Sequence, residues 1–159
     1  MTALGSFLLL ASGLVLRHEL IESFAVQIRL GEELSRLLDV LRHGIFRLQQ
    51  PLPELILSCR KESRYSKAFW ADMLDTLGQE TEFLSAWQYA CRLLPTLYAP
   101  YWSGIGAVLT AGEQEEVLIL TREEIHRTVM QLRQKKEERD RLVTTLCLSA
   151  SLLLTVVLM

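Results

Sequence analysis

Apolar and polar positions recur along this chain with the three-and-four spacing of helices, and two stretches lose their charged positions altogether. Leu142 to Met159, LVTTLCLSASLLLTVVLM, carries no charge. Its polar residues are Thr, Ser and Cys, which a helix can satisfy within itself. At about 1.5 Å of rise per residue the run reaches about 27 Å, near the hydrocarbon thickness of a bilayer. This predicts a C-terminal membrane anchor, in preference to a buried core helix or a strand. Met1 to Leu16, MTALGSFLLLASGLVL, is also apolar but reaches only about 24 Å. Ala11-Ser12-Gly13 imitates a cleavage site, so a signal peptide stands beside an uncleaved anchor; the lack of a positive side chain before Arg17 favours the anchor. Gly5, Ser6, Ser12 and Gly13 would allow close approach to the C-terminal anchor.

Between the two runs the period is helical throughout. Arg17 to Gln49 carries an apolar stripe of Leu20, Ile21, Phe24, Ile28, Leu34, Leu37, Leu38, Leu41, Ile45 and Leu48. Glu19, Glu22, Arg29, Glu32, Glu33, Arg36, Asp39 and Arg42 fill the opposite face. The motif Pro51-Leu52-Pro53-Glu54 ends this helix and starts the next, because Pro51 cannot continue the ladder while Pro53 and Glu54 suit a first turn. Further helices are predicted over 65–77 with Gly78 as a C-cap, from Thr81 through Trp87 to Leu94, and over 101–109. The last helix starts near Glu113 and runs through the charged stalk Arg133–Arg141 into the tail. The fold class expected is all-α: a membrane-anchored helical bundle with an N-terminal transmembrane helix over 1–16, a helical domain over 17–141 and a C-terminal transmembrane helix over 142–159. Arg17, His18, Lys135, Lys136, Arg139 and Arg141 flank the anchors on the domain side, and the outer ends carry no lysine or arginine. The positive-inside rule then puts the domain in the cytoplasm.

Composition narrows the function. Half of the 159 residues are apolar, and the mean hydropathy is +0.20. A net charge of −2 with a pI near 5.9 offers no basic field to nucleic acid. Cys59, Cys91 and Cys147 are odd in number and widely spaced, which argues against a disulfide framework or a zinc site; Cys59 and Cys91 read as buried thiols. His18, His43 and His126 lie far apart, and none has another His or Cys at helical i, i+4 spacing, so a metal site is not expected. There is no phosphate-binding glycine loop, no nucleophile elbow and no carboxylate pair in an apolar setting, so neither a cofactor nor an enzymatic centre is expected. The aromatics Phe69, Trp70, Phe83, Trp87, Tyr89, Tyr98, Tyr101 and Trp102 crowd the middle third and are expected to form the bundle core. Tyr98, Tyr101 and Trp102 follow prolines, and this loop-like setting marks them as the expected exposed partner surface.

The order of features resembles the stage III sporulation protein AB family of spore-forming Firmicutes. The residues that carry the resemblance are Leu34, Leu37, Leu38, Leu41 and Ile45 after the short first anchor, the PLPE segment at Pro51–Glu54, Ala86-Trp87 in SAWQYA, and the charged stalk before the tail. Ile105-Gly106 and Glu113 match the family's later turn, whereas Thr110 and Val117 depart from it. The resemblance implies a cytoplasmic domain similar to those of type II secretion F platform proteins. It also implies a place in the mother-cell-to-forespore channel, with the protein in the outer forespore membrane. A secretion-type ATPase of the same operon and other channel subunits would be its partners, and a homo-oligomer is compatible with that role. The function expected is that of a non-enzymatic membrane platform; the alternatives are a generic two-span membrane adaptor and a membrane-tethered enzyme with the aromatic middle as its substrate pocket.

Overall fold

The computed structural model describes the backbone of residues 2–79, 82–111 and 115–158, and the side chains of these residues other than 2–21, 147, 148, 151, 152 and 154–158. The fold is all-helical: six α-helices and one 3-10 turn form among the described residues, and no strand. They are α1 (Thr2–Phe46), α2 (Leu52–Glu62), α3 (Lys67–Leu77), α4 (Phe83–Ala90), the 3-10 turn Cys91–Leu93, α5 (Ala99–Ala111) and α6 (Glu115–Leu158).

The helix boundaries follow from local chemistry. Gln49, with φ at +50°, takes the left-handed conformation that turns a chain away from a helix end, and so closes α1. Pro51 sits extended as the residue before α2, and its carbonyl accepts from the N–H groups of Glu54 and Leu55. Gly78 ends α3 with its N–H donating to the Leu74 carbonyl. Pro100 opens α5 instead of breaking it, because a proline in the first turn loses only an N–H that has no helical partner. Helix α5 therefore starts at Ala99, two residues before the sequence expectation.

The chain divides into two units, one made of Met1–Ala25 and Met130–Met159, the other of Val26–Val129. In the second unit α1 and α6 run antiparallel. Asp39 pairs with Arg122 at 2.8 Å, and Arg42 reaches Glu115 at 4.0 Å, one pairing ascending along α1 as the other descends along α6. Gly31 lets them close: a Cβ there would collide with Val129 of α6 and with the Tyr98 ring. The core holds Leu34, Leu37, Leu38 and Leu41 from α1, Leu55, Ile56 and Cys59 from α2, and Leu118, Ile125 and Val129 from α6. The aromatic middle fills the rest. Leu48, expected at the end of the apolar stripe, is instead 57% exposed, because α1 has already ended at Phe46.

In the first unit the Arg139 guanidinium lies 5.3 Å from the centroid of the Phe24 ring. Among the described residues no helix is long and apolar enough to cross a membrane. The expected anchors, 1–16 and 142–159, fall largely on side chains outside the described set.

Candidate functional site

Two corners of the second unit gather the side chains that the helical pattern alone does not explain. The first joins α1 to the α2–α3 turn. Glu33, only 5% exposed, reaches from α1 and accepts from the N–H groups of Arg64, Tyr65 and Ser66 at 2.8, 2.9 and 2.8 Å. The Ser66 hydroxyl donates to it at 2.6 Å, and that same oxygen accepts from Trp70 Nε1 at 3.2 Å. Burial pushes the Glu33 carboxyl up, but the Ser66 hydroxyl and the three backbone donors outweigh it and hold the group below the ordinary carboxylate range. Ser66 precedes α3, so Glu33 serves as a carboxylate cap delivered from another helix, where the unpaired donors and the positive helix end both favour an anion. Arg29 donates to Tyr65 Oη at 3.3 Å and Arg36 to the Glu62 carbonyl at 3.2 Å. Residues 29, 33 and 36 share one face of α1. That face was expected in solvent. Glu33 is buried instead, because it accepts from the three consecutive N–H groups of the turn that leads into α3.

The second corner is α4, the 3-10 turn and α5. Its inner side is a block of indoles. Trp87 stacks on Trp102 at 5.8 Å and 19°, and Phe69 meets Trp70, Trp87 and Trp102 edge to face. Trp87 Nε1 donates to the Trp102 carbonyl at 2.8 Å, and Gly106 gives the Trp87 ring the room it needs. The Trp102 Nε1 is buried without an acceptor among the described residues. Tyr98, fully buried, donates its hydroxyl to the Gln27 carbonyl at 2.9 Å, and burial with the nearby Glu32 charge pushes its pKa up to about 12.

These positions correct part of the expected partner surface. Of Tyr98, Tyr101 and Trp102, only Tyr101 is exposed, at 36%. Tyr98 and Trp102 lie four residues apart and face inward together, because α5 begins at Ala99 and its first turn aims both at the core. The PLPE motif is a helix start with no gathered chemistry: Pro51, Pro53 and Glu54 are exposed and Leu52 is half-buried. The exposed large apolar side chains of this corner are Tyr89, Leu93, Leu97 and Tyr101, of which the sequence had singled out one as exposed; Arg92 and small or uncharged polar residues such as Ser85, Gln88 and Thr96 are exposed beside them. A signal for them was present: residues 83–111 contain a single formal charge, Arg92, where the chain average of 23% charged residues would give about seven.

Elsewhere the chemistry is plain. Cys59 and Cys91 are free and buried; burial raises both thiols to about 12, with Glu62 adding to the effect at Cys59, so neither is a nucleophile near neutral pH. Among the described residues no three His, Cys, Asp or Glu side chains are placed to hold a metal ion. His43 and His126 are both exposed. An open cleft of about 400 Å³ beside α1 and α2 is lined by Arg36, Asp39, His43, Leu48, Leu55 and Glu62, and a second of about 230 Å³ by Glu32, Ser35, Arg36, Asp39, Arg122 and His126. Both mix the two signs of charge. Compared with protein-family models, with curated proteins and with solved structures, the chain finds no match in any of the three.

Proposed function

We propose that this protein is a non-enzymatic, membrane-anchored platform whose helical domain docks another protein. The observation that carries the reading is the α4–α5 corner, where Tyr89, Leu93, Leu97 and Tyr101 lie exposed on a stretch with one charge. Folding alone gains nothing from leaving these groups in water, and exposed apolar surface of this kind marks interaction sites. Support for anchoring comes from α6. Leu142, Leu146 and Leu153 are 63%, 66% and 65% exposed, an arrangement suited to hydrocarbon. Three polar groups of the same stretch turn back on the helix: Thr144 and Thr145 donate to the carbonyls of Asp140 and Arg141, and Ser149 to that of Leu146. With the resemblance to the stage III sporulation protein AB family, this reading makes the protein a component of a secretion-like channel between mother cell and forespore. It lies in the outer forespore membrane with its domain in the cytoplasm, recruiting a secretion-type ATPase of the same operon or other channel subunits.

The test is membrane fractionation of sporulating cells followed by affinity purification of the full chain. The expected result is a protein that stays in the membrane after alkaline carbonate extraction and brings the operon's ATPase with it. Release by carbonate would overturn the anchoring, and recovery from a membrane complex devoid of both ATPase and channel subunits would overturn the platform.

A further inference from the structure

We infer that the α4–α5 corner receives an apolar protein segment carrying one carboxylate, and that this carboxylate lands on Arg92. The inference rests on the platform reading above and names the chemistry of its partner.

Three observations converge. Tyr89, Leu93, Leu97 and Tyr101 are 52%, 54%, 36% and 36% exposed, and between Phe83 and Ala111 the chain has no acidic residue. Exposed tyrosine and arginine with acidic groups and lysine absent is the composition of the centre of a protein interface. Arg92 is the single cation there. Its guanidinium lies 5.0 Å from the centroid of the Tyr89 ring, which holds it in place, and it forms no ion pair among the described residues. Beneath it the corner is rigid, because the stacked Trp87 and Trp102 and the Trp87 hydrogen bond lock α4 to α5.

Charge selects among the possible occupants. A second copy packed on the same face about a two-fold axis would bring two Arg92 groups into an interface to which residues 83–111 supply no carboxylate. A lipid surface is met by several lysines and arginines around an apolar face, and this corner has one cation. A protein segment with apolar side chains around an aspartate or glutamate satisfies both the apolar groups and the guanidinium.

The experiment places a photo-crosslinking amino acid at Leu93 or Tyr101 of the full chain in sporulating cells, with Leu120 of α6, itself 53% exposed, as the control position. The expected products join Leu93 or Tyr101 to a segment of another protein that contains Asp or Glu. Arg92→Glu should lower their yield at least about tenfold, the scale of a close charge pair lost from an interface. Arg92→Lys should retain part of it, and exchanging the partner's carboxylate for arginine should restore the yield of Arg92→Glu. Unchanged thermal unfolding of Arg92→Glu confirms that the loss is at the surface, and Leu93→Asp serves as a second variant with the same expected loss. Crosslinks only to lipid, only to another copy of this chain, or to a segment without a carboxylate overturn the inference, as does an Arg92→Glu yield equal to that of the unaltered chain. If only Leu120 captures the partner, this corner is wrong and the platform survives; if none of the three positions captures protein, both fall.

Discussion

The corner at Glu33 and the corner at Arg92 solve opposite problems. At the first, a charged side chain points inward. It finds three backbone N–H groups and a hydroxyl, which engage both of its oxygens. At the second, apolar side chains point outward, and the one charge present has an aromatic ring for company but no counter-ion among the described residues. A buried carboxylate with four donors is fully explained by the stability of the fold. Exposed Tyr89, Leu93, Leu97 and Tyr101 are not, since leaving a large apolar side chain in water forgoes about 1.5–3 kcal/mol of burial. The comparison separates groups that hold the domain together from groups left over for another use.

The largest effect that would sharpen this contrast lies just beneath the second corner. Trp87→Ala removes the centre of the indole block and should cost about 3–5 kcal/mol in denaturant unfolding of the full chain in detergent. Tyr101→Ala, one helix face away, should leave the same transition within about 0.5 kcal/mol. If both cost several kcal/mol, the outer face belongs to the core and the contrast fails. Next is Glu33→Ala, which strands the N–H groups of Arg64, Tyr65 and Ser66 and should cost about 3 kcal/mol. Its pH signature is specific. The Glu33 pKa is lowered by folding, so its contribution is present above the unfolded carboxylate pKa of about 4.5 and is lost as pH falls through the folded value. Thermal melts from pH 7 down to pH 3 should show that the variant loses less stability over this range than the unaltered chain; equal losses would mean that the carboxylate is not the cap. The smallest effect is expected at Arg122→Ala. Its pair with Asp39 is short but exposed, and double-mutant cycles should return less than about 1 kcal/mol.

Much of the fold could be read from spacing and punctuation. The prolines at 51 and 53, Gly78 and the apolar stripe of α1 place helix ends within a few residues, because they act through neighbours in the chain. Two features escaped for the same physical reason. Glu33 looks solvent-facing from its own helix, and only the donors at 64–66, more than thirty positions away, turn it inward. Tyr98 and Trp102 look loop-borne after their prolines, yet Pro100 begins a helix, and that one change of phase carries both into the core. Tyr89, Leu93 and Leu97 could have been found by asking where charge is missing instead of where aromatics follow proline.

The cap at Glu33 also bears on the order in which the chain folds. Helix α3 has 11 residues, shorter than an isolated helix needs to persist in water, and the acceptor for the amides of the turn that leads into it, Arg64 to Ser66, resides on α1. That turn is fixed only when α1 is in place, so the start of α3 is set by the arrival of α1. The two should then protect their amides together: in native-state hydrogen exchange Ser66 would open with the middle of α1, as part of one cooperative unit, and not with the fraying ends of its own short helix.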